Sequence, residues 1–583
     1  MQFKAQVRLV TKLYELYSAG ANERGNEEMR QTRKLYNMKA ADIFVKTLKN
    51  EGVQHIFGLP GEETLGILDA ISRSNIKFIL TRHEQAAGFM AATYGRLTGK
   101  AGVAIGTLGP GATNFATAAA FSTLGAMPAV FITGQKPIHS SKQGRFQIVD
   151  VVGMMKPLTK SSAQIPSARQ IPSLVRNAFR LAEEERPGAS HLEFPEDVVG
   201  EDVAESRLIP KTEAFRPVPD KKAIAPAVKM LLRAKRPLIL IGSAGNRKDF
   251  SRELLSFIRA TDIPFFTTHM GKGAVPEDHK LFLGTAALSK DDYLHSVIEE
   301  ADLILSIGYD VVERPPYPVK KGSAEVVHIN FFSAQSDEVY FPTHDVVGDI
   351  GETLRNMKEA LPKRLPWNTT SFLADKKHID ERLLERADSA RFPMLPQRIV
   401  ADVRATMPRD GIVALDNGMY KIWFARHYRV FERNTLLLDN ALATMGAGLP
   451  SAIAAKLVYP KRKVLAVCGD GGFLMNSQEL ETAVRLKLNL VVLVLRDDGF
   501  GMVKWNQERG GHADIGLSFG NPDFVRYAES YGAKGYRVSK AEELRPVLEK
   551  ALNARGVSLI EVAIDYSENK KIFDEELSQK SAK

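Results

Sequence analysis

A chain of 583 residues is too long for one hydrophobic core, so two to four domains are expected. Its composition, 44% hydrophobic and 25% charged, excludes disordered and fibrous classes, and no apolar run approaches the roughly 20 residues that cross a bilayer. The net charge of +10 raises nucleic acid as a partner, but Lys and Arg are dispersed among acids with no basic stripe interleaved with aromatics. No nucleic acid or membrane partner is therefore expected, and the charge suits anionic small ligands.

Residues 1–37 carry seven Lys or Arg, together with Glu15, Glu23, Glu27 and Glu28. That is neither an apolar signal core nor an acid-poor transit peptide, so an N-terminal extension is expected, with a cytoplasmic location and an organelle left open. Folded sequence is expected from Met38. Helix 40–52, strand 53–57, helix 65–74, strand 77–80, a helix opening at Glu84, and strands 102–105 and 129–133 form a first block, residues 38–202. A Pro-containing linker (210–220) leads to a second block, 221–361, with strands 237–241, 264–268, 303–307 and 326–329. A third block, 393–565, has strands 412–415, 464–467, 490–495 and 558–562, and a mobile tail, 566–583, is expected after it. Alternating strands and amphipathic helices predict an α/β chain of three doubly wound parallel-sheet domains.

The single cysteine, Cys468, excludes an internal disulfide and a cysteine zinc site, and its apolar neighbours make it a small buried strand residue. Lys463–Cys468 is a buried strand, Gly469-Asp470-Gly471-Gly472 a tight loop, 476–486 a helix and 488–495 a second buried strand ending at Arg496-Asp497-Asp498-Gly499. A right-handed βαβ unit puts both loops at the carboxyl ends of adjacent parallel strands, so Asp470 and Asp497 face one crevice. Two neighbouring carboxylates need a cation, and hard oxygen ligands suit Mg²⁺ or Ca²⁺ with a phosphate completing the shell. The glycines let backbone N–H groups approach phosphate oxygens at a helix N-terminus.

Gly469-Asp470-Gly471, followed at residue 497 by an acid, resembles the thiamine diphosphate motif of the acetolactate synthase and pyruvate oxidase superfamily. Most members have Asn as the second ligand; Asp497 resembles the catabolic acetolactate synthases. The resemblance implies Mg²⁺ held by Asp470, Asp497 and the Gly499 carbonyl, with Gly469, Gly471 and Gly472 around the diphosphate. Arg82-His83-Glu84-Gln85-Ala86 matches the segment whose carboxyl group faces N1′ of the aminopyrimidine, which assigns Glu84 that role. The run Gly106–Asn114 resembles the Gly-Pro-Gly loop with Gly109, and Gln135 stands where acetolactate synthases place a Gln near the reacting centre. Asn440–Gly446 resembles the segment under the bent cofactor, with Met445 as the wedge and the Ala443 carbonyl accepting from the 4′-amino group. Asn417 and Gly418 match positions near the diphosphate, whereas Met419-Tyr420 replaces the usual polar residue and His. Lys160 matches a basic position of the family, and Phe146 and Gln147 match the loop lining the substrate channel.

The resemblance, spanning Met38 to Asp565, is nearest the acetolactate synthases. It implies that one pyruvate is decarboxylated and its two-carbon remainder condenses with a second pyruvate to give 2-acetolactate and CO₂. Another 2-oxo-acid decarboxylase or carboligase, and a catalytically silent relative, are the alternatives; Glu84 argues against the glyoxylate carboligase branch, which lacks that residue. The resemblance also implies a homodimer or homotetramer with the cofactor between the first domain of one subunit and the third of another. Ser306–Glu313 lacks the Arg of FAD-binding biosynthetic forms, while Gly134-Gln135-Lys136-Pro137 resembles those forms, which leaves FAD open.

Overall fold

The structure is a computed structural model that describes residues 37–139, 144–204, 207–212, 216–247, 250–288, 292–313, 324–336 and 340–577; the expected extension, apart from residue 37, lies outside them. Three six-stranded sheets form the framework, and every pairing within them is parallel. The first sheet runs Lys77–Leu80, His55–Gly58, Gly102–Gly106, Ala129–Gln135, Ala189–Pro195, Ser161–Gln164. The third runs Leu436–Leu437, Ile412–Leu415, Val464–Gly469, Leu490–Arg496, Val557–Ala563, Lys534–Val538. Numbered along the chain, both read 2-1-3-4-6-5, whereas the central sheet reads 3-2-1-4-5-6. Its strands are Phe282–Thr285, Phe265–Thr267, Pro237–Ile241, Leu303–Ile307, Glu325–Asn330 and His344–Val347.

The central strands of each sheet are buried nearly throughout and mostly apolar, as a parallel sheet covered on both faces requires. The domains are not separate beads. One hydrophobic cluster contains Phe89, Met90 and Ala91 of the first domain with Ala452, Ile453 and Ala455 of the third. Helices Glu84–Thr98 and Gly448–Val458 meet there, and Thr93 Oγ1 donates to Ser451 Oγ at 2.9 Å. Arg96 reaches the carbonyls of Leu438 and Leu436, and full burial pulls its guanidinium down to about 10.

Two expectations need correction. Of the tail expected over 566–583, residues 578–583 lie outside the described residues, whereas 566–577 are packed: a π-helical turn, Lys571–Glu576, buries Ile572 and Phe573, and Leu577 after it is also buried. The Phe573 ring lies 4.7 Å from Trp423 and 5.7 Å from Trp505, which holds the segment to the third domain. Apolar side chains set at irregular spacing in a charged segment carry no periodic signal, which is why the sequence reads as a free tail. The helix expected over 476–486 is the shorter Glu479–Arg485, and Gly469-Asp470-Gly471-Gly472, expected as a loop, opens a separate helix, Asp470–Met475.

Candidate active site

At the carboxyl ends of the third sheet, Asp470 and Asp497 stand on the adjacent strands Val464–Gly469 and Leu490–Arg496. Asp470 is buried, its Oδ2 accepting from the Asp498 N–H and Asn521 Nδ2, both at 2.8 Å. Its Oδ1 accepts from the Gly471 N–H at 2.8 Å. Burial first, and then the neighbouring Asp470, push the Asp497 carboxyl up to about 7, as two acids brought together require. Asn521 adds a buried side-chain oxygen without a hydrogen-bond partner. This donor set fits a hard divalent cation. Among the described residues no group of three His, Cys, Asp or Glu side chains could hold a metal, so a cation here needs backbone and ligand oxygens to complete its shell.

The glycines divide by role. A Cβ on Gly472 would stand 2.6 Å from Asp416 Oδ2, and one on Gly471 would stand 2.8 Å from the Phe500 ring, so these two permit close packing. Asp416, which the sequence reading passed over, is fully buried and pushed up to about 6 by that burial. It accepts from the N–H groups of Asn417 and Gly446, tying two expected cofactor segments together. Asp439 does the same for the next loop, accepting from the N–H groups of Leu442 and Ala443 and so holding Ala443 at φ +55°.

Asn417, Gly418, Ala443 and Met445 line a cavity of about 890 Å³, whose other walls include His269 of the central domain and Trp505 and Arg509 of the third. Met419 and Tyr420, which replace the family's polar residue and His, are both buried in the core beneath. Lys421, one position on, lines the cavity instead.

In the first domain, Glu84 begins its helix and is 8% exposed. Asn114 Nδ2 donates to Glu84 Oε2 at 2.9 Å, and Oε1 lies over Gly111, where a Cβ would come within 3.2 Å. The turn before it is clamped from the third domain. The Arg82 and His83 N–H groups donate to Glu479 Oε1 at 2.9 and 3.1 Å, and Asn476 Nδ2 donates to Gln85 Oε1. Glu479 is a site residue that no motif marks, because its partners are almost 400 positions away. Gly109 takes φ +55° with the Gln147 carbonyl against it, a close approach that favours glycine.

Gln135 ends its strand, but its amide is engaged within its own domain, with Nε2 donating to Glu193 Oε2 at 2.8 Å and Oε1 accepting from the Lys136 N–H. Lys160 is placed away from it. Its backbone N–H pairs with Ala189 O at the opposite end of the sheet from Gln135, and Nζ donates to Glu184 O at 3.0 Å. The cation at the strand ends is Lys136, in a buried pair with Glu63 at 2.6 Å. Phe146 is 64% exposed, beside exposed Ile148 and Val149. Glu84, Gln135, Phe146 and Gln147 are not among the residues lining the large cavity.

Models of the thiamine pyrophosphate enzymes match three parts of the chain: the N-terminal TPP binding domain at residues 38–154, the central domain at 224–357 and the C-terminal TPP binding domain at 416–562. The chain belongs to the thiamine pyrophosphate enzyme family. Within it, the chain is similar to the acetolactate synthase of Bacillus subtilis (strain 168), 34% identical over 554 residues, which is 94% of this chain and 97% of that one. It is 35% identical over 535 residues to the catabolic acetolactate synthase of Raoultella terrigena (91% and 95% of the two chains). It is 31% identical over 547 residues to the acetolactate synthase large subunit of Haemophilus influenzae (91% and 95%).

Proposed function

We propose that this protein is an acetolactate synthase that condenses two pyruvates to 2-acetolactate and CO₂, with Mg²⁺ anchoring its thiamine diphosphate. The observation that carries the reading is the pair of buried Asp470 and half-buried Asp497 at neighbouring strand ends, in a chain whose first domain holds a buried Glu84 at a helix start. The names of the similar proteins support the reaction.

When bound, thiamine diphosphate supplies the electron sink that lets a 2-oxo acid lose CO₂ and its remaining carbons attack a second carbonyl. Asp470 and Asp497, with the Gly499 carbonyl, would hold Mg²⁺ and through it the diphosphate. Asn114 fixes Glu84 Oε2, and Oε1 would share a proton with the aminopyrimidine. Asp439 and Asp416 set the Ala443–Gly446 backbone, on which the cofactor would rest. Since Glu84 lies off the cavity that holds Asn417, Ala443 and Met445, we read the working unit as at least a homodimer, each site completed by the first domain of a second copy. The exposed Phe146, Ile148 and Val149 fit such a covered face.

A flavin fits poorly. Glu313 is buried at the ends of the central strands, accepting from the Ser243 N–H and Thr268 Oγ1. Its carboxyl, pushed up to about 7 by burial, fills the strand-end crevice that an α/β sheet offers an anionic dinucleotide. The test is incubation of purified protein with pyruvate, thiamine diphosphate and Mg²⁺. Acid conversion of the product to acetoin is expected; acetaldehyde alone, or no CO₂ release, overturns the reading. A visible spectrum of the same sample, expected to lack flavin bands, checks the central domain.

A further inference from the structure

Lys421 is a buried lysine whose side chain lines the large cavity in the company of the residues expected near the diphosphate. Its ammonium is fixed rather than wandering. Nζ donates to Asn417 Oδ1 at 2.6 Å, Asn440 Oδ1 at 3.1 Å and the Asp439 carbonyl at 3.3 Å. Those same residues organise the cofactor loops, since Asn417 Nδ2 donates to Thr444 O at 2.7 Å and Asn440 Nδ2 donates to Glu313 O at 2.9 Å. Lys421 therefore belongs to the cavity wall, on the first turn of the helix Tyr420–His427 that follows Asn417 and Gly418.

Charge balance says what that ammonium is for. A divalent cation between Asp470 and Asp497 is neutralised by the two carboxylates, so it contributes no net positive charge toward a diphosphate. A site with one carboxylate and one amide would leave one positive charge over. The negative charges of the diphosphate must then be met by other groups, and burying them unmet is costly. The other cationic residues on the cavity wall are set differently: Arg509 pairs with Asp574 at 3.1 Å, and Lys570 is exposed.

We propose that the Lys421 ammonium, held on the cavity wall by Asn417, Asn440 and Asp439, stabilises the diphosphate of the cofactor through its charge, supplying the positive charge that the second acid at residue 497 takes away. This rests on the thiamine diphosphate reading of the site and adds the residue that compensates for its acidic metal pair.

The test is calorimetric titration of the cofactor-free full-length protein, with Mg²⁺ present, using thiamine diphosphate, inorganic pyrophosphate and unphosphorylated thiamine in turn. Lys421→Gln keeps an amide donor for Asn417 and Asn440 but removes the charge. It should weaken thiamine diphosphate and pyrophosphate binding by about 10- to 100-fold, the size of a charge-assisted contact, and leave thiamine unchanged. Lys421→Arg, which keeps a cation, should bind pyrophosphate within a few-fold of wild type. Pyrophosphate binding by Lys421→Gln equal to wild type overturns the proposal. So does an equal loss for thiamine, which would mark a purely structural role, or an Arg variant as weak as the Gln variant. Failure of the wild-type protein to bind thiamine diphosphate at all would instead overturn the cofactor reading on which the inference stands.

Discussion

The first and third domains repeat one strand order, and both place their chemistry on the loops that leave the carboxyl ends of the strands. After its second strand the first domain presents Glu84, and the third presents Asn440–Met445 at the same topological position. After the third strand come the Gly109 loop in one and Asp470 in the other. The two have nonetheless diverged in charge and in exposure. The third domain gathers Asp470 and Asp497 at neighbouring strand ends and forms most of the wall of the large cavity, with Trp505 and Phe573 on it. The first presents the Glu84 carboxyl group held by Asn114, together with a surface carrying Phe146, Ile148 and Val149. On the proposed reading, one half would hold an anion through a metal and the other would share a proton. A repeated fold thus supplies equivalent platforms, and the side chains on the strand ends divide the labour.

The sharpest way to separate the two halves is Glu84→Gln. Loss of turnover by roughly 10²- to 10⁴-fold is expected with thiamine diphosphate binding retained; unchanged activity would remove Glu84 from the mechanism. Next is complementation. Asp470→Ala should also be inactive, through loss of Mg²⁺-dependent cofactor retention. If each site joins two chains, a refolded equal mixture of the two inactive variants should recover about a quarter of wild-type activity, because half the dimers carry one intact site of two. No recovery would place both halves in one chain.

A smaller effect concerns pH. Asp497, raised to about 7 by burial and by Asp470, is protonated below that pH, and Mg²⁺ must displace the proton. Mg²⁺ affinity of the cofactor-free protein should therefore rise as pH increases toward 7 and level off above it, by about tenfold per unit at most. Asp497→Asn should abolish the slope. The smallest effect is on the joint between domains. Glu479→Ala leaves the Arg82 and His83 N–H groups unpaired and should cost about 1–3 kcal/mol, read as a lower melting temperature, with reduced turnover because the turn before Glu84 loosens.

Much of this organisation is legible in the chain itself. Alternating apolar strands and amphipathic helices specify three parallel-sheet domains, because such patterns bury only when helices cover both faces of a sheet. Asp470 and Asp497 fall on adjacent strands because a right-handed βαβ connection leaves them nowhere else to go. Glu84 and the Gly109 loop are likewise marked by local motifs.

Packing between distant segments decided the rest. Lys160 reads as a site lysine, but its strand enters the sheet with that residue at the far end, and Lys136 takes the strand-end position. Met419 and Tyr420 turn into the core and Lys421 into the cavity, since the helix that follows Gly418 sets which face is wet. The segment 566–577 folds because Trp423 and Trp505 offer Phe573 a surface. Asp416, Asp439 and Glu479 act through backbone N–H groups that only the folded chain brings to them. Sequence determined that Asp470 and Asp497 meet, because adjacent parallel strand ends impose it. Tertiary structure alone decided which side chains reach that chemistry, because burial and hydrogen-bond geometry depend on contacts hundreds of residues apart.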